Sequence, residues 1–492
     1  MNLGQRIRGG VKWLFIGNTG GQFLQFVFGI ALARLLVPAD FGMIVAISVF
    51  TGFVGVLASG GMGQSLIRAK EVDGADFNAV FTMQLMLGIA IYAGFFAVAP
   101  VISRFFENPL YTPLLRVSAV SFLLRPFSQI HISWLSREMN FRKRSQVDLA
   151  TSLITGVASV AMAAKGLGVW SLTISGLIAG LASAAMLAFT TPLRPKLNFS
   201  RETIRKHAGF GFKITIGDML AHLKEHSINL VLGKLEGPTF LGLFNKAESL
   251  ARMPNRLIMP PTGQAVFRAI SVVQDDLDQA KYILYRTMTL VMVYVFPFLV
   301  GLWWVAEQFV GVVYGEKWLP IVEPMRIIVL AGVMRTIWIP CGVTLNALNR
   351  VTPMVIGEAI GLVVSIALVV VGLRWGLSGV AWGIVASTVF YAVYAYAIVY
   401  RAIPTRLVDL LKAFVPGLVL NSFLFAVLAG AHQVLGTHAA GHPALYLVAM
   451  ATLGGVAYGM AFLLFPIPAL RTEAARWKQQ IARAFGTRGT GN

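Results

Sequence analysis

The chain has 492 residues, 57% of them hydrophobic and only 13% charged, with a mean hydropathy of +0.72. That balance excludes a soluble globular domain and describes a polytopic membrane protein. A net charge of +20 would suit nucleic acid, but the basic residues follow the membrane instead, and a single cysteine, Cys341, excludes a disulfide framework or a cysteine metal site.

After a short basic start (Arg6, Arg8, Lys12), fourteen apolar spans are predicted. They lie near 13–36, 41–67, 79–103, 112–135, 147–164, 167–191, 209–233, 241–263, 282–305, 321–346, 353–373, 377–400, 413–435 and 443–466. The first is too long for a signal-peptide core and lacks a small-residue cleavage site after it, so it reads as a membrane helix. Lys and Arg alternate between the loops: 25 fall on the side that holds both termini and 5 on the other. Both termini are therefore expected in the cytoplasm.

The chain repeats itself. A shift of 200 positions aligns Ile16-Gly17 with Ile216-Gly217, Pro38 with Pro238, Gly42 with Gly242, and Gly63-Gln64 with Gly263-Gln264. Near 210 the match continues, with Arg116 on Arg326, Arg125 on Arg335, Asp148 on Glu358 and, one residue later, Gly168-Val169 on Gly379-Val380. Six spans per repeat is an even number, so both halves enter from one side and are related by an axis along the membrane normal. The expected organisation is an N-terminal six-helix lobe at 1–191, a cytoplasmic basic linker at 192–208, a C-terminal six-helix lobe at 209–400, two additional spans within 401–468, and a basic amphipathic cytoplasmic tail at 469–492. In the linker, Asn198 to Ser200 precede a predicted surface helix. The tail spaces Trp477, Ile481 and Phe485 along one helical face, as expected of a helix lying on an anionic leaflet.

Charge gathers at 212–256, in two membrane-length segments. In the first, Asp218, His222, Glu225 and Asn229 form one polar stripe; in the second, Asn245, Glu248, Arg252 and Asn255 do, flanked by Lys246 and Arg256. Ionisable groups are expensive in hydrocarbon, so both helices are expected to line a wet, charged cavity. The first-half counterparts are Asn18, Gln22 and Gln25, polar but not ionisable, and Val45, Ser48, Gly52 and Gly55.

Each group has two readings. Arg125 and Arg335 bind an anion or cap carbonyls within their own halves, whereas Arg252 and Arg256 have no charged counterpart that repeat symmetry would explain. Glu248 and Arg252 have the spacing of an intrahelical salt bridge. Asp218, Glu225 and His222 form a proton or sodium site, or are neutralised by Lys213 or Lys224. No Gly-rich phosphate loop, GxSxG or metal-binding spacing occurs in the spans, and no resident cofactor or enzymatic activity is expected.

Four runs resemble bacterial polysaccharide flippases of the Wzx type, in the branch like colanic-acid exporters, within the multidrug/oligosaccharidyl-lipid/polysaccharide (MOP) superfamily. They are Ala31 to Ile47, Gly60 to Arg68, Lys165 to Leu172 and Gly233 to Leu250. The resemblance implies an all-α fold of two six-helix lobes around a central cavity, alternating access in the inner membrane, and an undecaprenyl-diphosphate-linked oligosaccharide as substrate. It also implies a monomer working with membrane lipids and with polymerase and chain-length or export proteins of the same pathway, and no nucleic acid. An excess of basic over acidic intramembrane residues suits such an anion. Arg252, Arg256, Lys224, Arg335, Arg125 and Lys246 are the candidates for the diphosphate and acidic sugars, and Asn18, Gln22, Gln25, Asn245 and Asn255 for glycan hydroxyls. Two rivals share the superfamily: a cation-coupled drug exporter, whose cavity would be acidic, and a lipid II flippase. A membrane enzyme would need a large outer loop, and the loops here are short.

Overall fold

The computed structural model describes residues 3–485 apart from 60, 61, 70, 201–218, 220, 221, 224, 440 and 466. Every regular element among them is a helix. Nine stretches of the described residues are long and apolar enough to cross a membrane; Leu277–Trp304 and Val351–Ala402 each hold two α-helices. The chain packs as two compact units, Met1–Asn245 and Lys246–Asn492.

The first unit holds α1 (Leu3–Leu35), α2 (Pro38–Ser59), α3 (Met62–Arg68), α4 (Gly74–Phe105), α5 (Tyr111–Ala119), α6 (Ser121–Arg137), α7 (Phe141–Ala164), α8 (Val169–Thr190), α9 (225–235) and the first turns of α10 (Gly237–Val272). Local chemistry starts these helices. Asp73 and Asp76 form a reciprocal capping box on α4, with Asp76 N donating to Asp73 Oδ1 at 2.9 Å and Asp73 N to Asp76 Oδ2 at 3.2 Å. Small residues then let helices approach where lipid supplies no hydrophobic drive. Gly17 of α1 lies against Ser145 of α7, whose hydroxyl donates to Trp13 O at 2.8 Å. The start of the linker runs along α4, with Lys196 N donating to Asn78 Oδ1 and Asn198 N to Thr82 Oγ1, both at 2.8 Å. The surface helix expected beyond Ser200 lies outside the described residues.

The second unit continues α10 and adds α11 (Leu277–Tyr294), α12 (Phe296–Trp304), α13 (Ala306–Val313), α14 (Val322–Ala347), α15 (Val351–Gly372), α16 (Gly376–Ala402), α17 (Leu407–Ala439), α18 (Pro443–Leu464) and α19 (Arg471–Phe485). The span expected at 282–305 is two helices, α11 and α12. Pro297 cannot donate to the Val293 carbonyl four residues earlier, and the Tyr458 hydroxyl from α18 supplies that bond at 2.6 Å. Helices α17 and α18, which lie outside the repeat, thus complete the backbone hydrogen bonding of a repeat helix.

The repeat is visible in contacts. In the first unit Arg116 Nε donates to Phe96 O at 3.3 Å while its guanidinium sits 3.9 Å from the Phe96 ring centre. In the second, Arg326 Nε donates to Trp303 O at 3.1 Å with its guanidinium 5.5 Å from the Trp303 ring centre. Both arginines join neighbouring segments of their own unit. Within the first unit, Gly42 and Gly242 meet reciprocally: a methyl on Gly42 would overlap the Pro238 carbonyl, and one on Gly242 the Pro38 carbonyl. One pairing departs from the linear alignment. Gly168 precedes α8 at φ 54°, ψ −133°, and the residue with matching backbone at the start of α16 is Gly376 at φ 64°, ψ −149°. Gly379, its counterpart in sequence, lies inside α16, where the Gly372 backbone leaves no room for a side chain.

The tail helix is bound to protein as well as being amphipathic. Leu470 and Ala474 are buried with Val293, Leu420 and Phe462, Trp477 Nε1 donates to the Tyr294 hydroxyl at 3.0 Å, and Glu473 pairs with Arg286. Arg476, Lys478 and Arg483 stay exposed. Burial pushes the Glu473 carboxyl up, but bonds from Arg286 and Thr472 outweigh it and hold the group below its usual range. A lowered carboxyl stabilises docking above its unfolded value and loses that contribution as pH falls through the lowered one. Trypsin cleavage at Arg476 and Lys478 should therefore be slow at neutral pH. Glu473→Gln should be cleaved faster at neutral pH, and equal rates for the two proteins there would refute the assignment.

Candidate functional site

Helix α10 carries Glu248, Arg252 and Arg256 on one face, and in the second unit that face is turned toward Arg335 of α14. Arg252 Nη2 lies 2.6 Å from Glu248 Oε1, one turn back, so the predicted salt bridge forms. It is partly sheltered, the Glu248 side chain being 15% exposed and that of Arg252 34%. Arg335 of α14, 6% exposed, comes within electrostatic reach of Arg252, Glu248 and Arg256. Arg256 is exposed and its Nη1 reaches Ser249 Oγ at 3.5 Å. Glu248 is paired with Arg252 alone, while Arg335 and Arg256 add positive charge to the surroundings, and a guanidinium stays charged in any environment a protein offers. Two donors in the same stretch are buried without a hydrogen-bond partner, Arg252 Nε and Asn255 Nδ2. Leaving such groups unmade costs about 1–3 kcal/mol each, so the arrangement suits an anionic, hydrogen-bond-accepting ligand. Pro254, between the two arginines of α10, cannot donate to the Leu250 carbonyl.

The other predicted residues divide. Lys246 faces aromatic rings, its Nζ 4.3 Å from the centre of Tyr314 and 5.6 Å from that of Trp318, both fully buried. These partners lie about seventy residues downstream, and nothing in the linear sequence marks them. Arg125 is turned to the backbone of α2, where Nη1 donates to Gly55 O at 2.9 Å. Asn18, Gln22 and Gln25 are exposed on α1, and Asn245 is half-buried at the close of the first unit.

In the predicted ion stripe, His222 Nε2 lies 3.2 Å from Val49 O, against Gly52, and its ring lies tilted by 39° against that of His226 at 4.3 Å between centres. Asn229 Nδ2 is 3.4 Å from His226 Nδ1, and Glu225 is exposed. The four-residue spacing of the two histidines was the available signal for their contact. Asp218 and Lys224 lie outside the described residues. No group of three metal-holding side chains occurs among the described residues.

A second feature of the same unit is an apolar cavity of about 810 Å³ between α11, α12, α17 and α18. Phe298, Leu424, Met450 and Tyr458 line it, and Trp477 and Ile481 of α19 contribute to its wall.

The profile of a family described as polysaccharide biosynthesis protein matches residues 31–323. The chain belongs to that family. The family assignment agrees with two curated relatives. The lipopolysaccharide biosynthesis protein WzxC of Escherichia coli (strain K12) is 25% identical over 357 residues, covering 71% of this chain and 72% of WzxC. The succinoglycan biosynthesis transport protein ExoT of Rhizobium meliloti (strain 1021) is 23% identical over 308 residues, covering 63% and 62%. Among solved structures, the lipid II flippase MurJ in an inward closed conformation superposes with a TM-score of 0.70 at 15% identity, over 92% of this chain and 98% of MurJ. This polysaccharide biosynthesis protein is accordingly a multi-pass membrane protein with the MOP-superfamily fold.

Proposed function

We propose that the protein flips an undecaprenyl-diphosphate-linked oligosaccharide repeat unit across the bacterial inner membrane by alternating access, as a step in exopolysaccharide or lipopolysaccharide assembly. The observation that carries this reading is the guanidinium cluster of α10 and α14, with its two buried, unpartnered donors. A diphosphate supplies both the charge and the acceptor oxygens that such donors lack. The apolar cavity in the same unit supports an amphiphile over a free sugar phosphate, since an isoprenoid chain needs an apolar wall. A drug exporter for cationic substrates would need carboxylates in excess, and this cluster holds one against three guanidiniums. Asn18, Gln22, Gln25, Asn245 and Asn255 are assigned to glycan hydroxyls, and Lys224, Lys246 and Arg125 remain candidates for the substrate's acidic groups. Asp218, His222 and Glu225 are assigned to proton or sodium coupling. The working partners are membrane lipids and the polymerase and export proteins of the same pathway, with both termini cytoplasmic and the protein acting as a monomer.

The test is deletion of the gene followed by mass spectrometry of extracted lipids. A lipid-linked oligosaccharide should accumulate on the cytoplasmic leaflet, and its mass identifies the glycan. Unchanged lipid-linked pools combined with altered drug tolerance would replace this reading with that of an exporter, and accumulation of the peptidoglycan precursor alone with that of a lipid II flippase.

A further inference from the structure

The tail helix α19 has two unequally held halves. Its start is clasped by α11: Arg286 donates through Nη1 to the Ala469 carbonyl at 2.6 Å and pairs through Nη2 with Glu473, one turn further on. Leu470 and Ala474 beside this clasp are buried against Val293, Leu420 and Phe462. The far half carries Trp477 and Ile481, which are 45% and 39% exposed, and Trp477 Nε1 donates to the Tyr294 hydroxyl at 3.0 Å. These two residues stand one turn apart on the same face, and that face forms part of the wall of the apolar cavity between α11, α12, α17 and α18.

The polar groups along this edge of the cavity are spent on protein bonds. The Tyr458 hydroxyl donates to the Val293 carbonyl at 2.6 Å, and the Trp477 indole donates to Tyr294. A cavity with such a wall recognises a hydrocarbon chain, because it rewards apolar contact and leaves a polar ligand unpaired. A chain that fills it touches the four membrane helices and, through Trp477 and Ile481, the tail helix as well. Those contacts are lost when α19 swings away.

We propose that α19 and an isoprenoid chain in the cavity stabilise each other, so that the tail helix is held while the chain is bound and released more readily when the chain leaves. The proposal rests on the reading of this cavity as the seat of the substrate's isoprenoid chain, and it makes the tail a sensor of loading. Reciprocity requires the effect: the factor by which a docked tail raises affinity for the chain is the factor by which the chain favours docking. Glu473 and Ala474 control docking without lining the cavity, so residues that touch no ligand tune its binding.

The test uses the full chain in phosphatidylcholine nanodiscs at neutral pH, with and without undecaprenol bearing a photoactivatable group. Two quantities are read, trypsin cleavage at Arg476 and Lys478 and photolabelling of the cavity wall. Cleavage follows the population of undocked tail, so undecaprenol should slow it at least about fivefold, the lower end of typical coupling between sites. Gly455 belongs to the cavity wall, and an added Cβ there meets nothing within 4 Å, so Gly455→Trp fills the cavity and should make cleavage insensitive to undecaprenol. Ala474→Arg puts a charge into the buried cluster, undocks α19, and should lower photolabelling by the same factor of about five. Should Ala474→Arg fail to fold, Glu473→Lys sets a like charge against Arg286 and decides in the same way. A labelled cavity with unchanged cleavage, or an undocked variant labelled as fully as wild type, would overturn this inference alone. Slower cleavage that persists in Gly455→Trp would also overturn it, since the chain then acts elsewhere. Phosphatidylcholine is present throughout, so an effect no greater than that of the phospholipid would remove the isoprenoid assignment. An unlabelled cavity in wild type would overturn the cavity reading and this inference with it.

Discussion

Arg252→Gln should lower export of the lipid-linked glycan by about 10- to 100-fold per molecule of protein in the membrane. A hydrogen bond to a charged group is worth about 1.5–3 kcal/mol, and each 1.4 kcal/mol is a factor of ten. Arg252 combines a salt bridge to Glu248 with a buried, unpartnered Nε, so it is both held in place and incompletely satisfied without ligand. The substitution also strands the Glu248 carboxylate, which is sheltered, at a cost to folding of about 1–3 kcal/mol. The double variant Glu248→Gln/Arg252→Gln removes that second effect, since two neutral amides replace the pair. Under a ligand-binding role, the double variant recovers abundance and melting temperature but not export. Under a purely structural role, export recovers with abundance, and that result would discard Arg252 as a substrate contact.

Gly42→Ala and Gly242→Ala should each destabilise the protein by about 3 kcal/mol or more, the upper end of overpacking costs. The neighbour of each glycine is a backbone carbonyl, Pro238 O for Gly42 and Pro38 O for Gly242, and neither can swing aside as a side-chain tip would. Relief requires moving α2 and the first turns of α10 apart. Because either methyl forces that same separation, the double variant should cost less than the sum of the singles. Gly94→Ala on α4 is the control: an added Cβ there meets nothing within 4 Å, and the higher helix propensity of alanine should leave it neutral or slightly stabilised. Melting temperatures in detergent, together with membrane abundance, read all four. Wild-type melting of Gly42→Ala would mean that the crossing is looser than described.

The sequence carried the helices well because their signal is local. Apolar runs of membrane length predicted α4, α7, α8 and α14 to α18 near their observed limits, and the capping residues Asp73, Asn140 and Asp276 sit where helices begin. It read Leu277–Trp304 as one span, as its length and apolarity bear out, but not the break between α11 and α12, because the apolar run continues through Pro297 and only the local hydrogen bonding is interrupted. It also aligned Gly168 with Gly379 by residue identity, whereas backbone conformation matches Gly168 to Gly376.

The site was legible in part for the same reason. The stripe Glu248, Arg252 and Asn255 follows from helical spacing alone, and so does its salt bridge. Arg125 and Arg335 were indistinguishable in sequence, both being repeat-related arginines inside spans. What separates them is the surroundings each one meets: for Arg125 the Gly55 carbonyl seventy positions away, and for Arg335 the charged side chains of α10. The two buried rings over which Lys246 sits, and the docking of α19 through Glu473 and Trp477, are equally remote in the chain.

The linear sequence by itself determined that the protein spans a membrane, that it is built from a repeat, and that ionisable groups concentrate in the second repeat's first two spans. These follow from composition, periodicity and a constant offset, which are properties of neighbours along the chain. The tertiary structure decided which neighbours those groups meet. A guanidinium inside a membrane protein takes its role from whatever lies across the helix interface, whether a carbonyl, a carboxylate or another guanidinium, and that neighbour is chosen by packing.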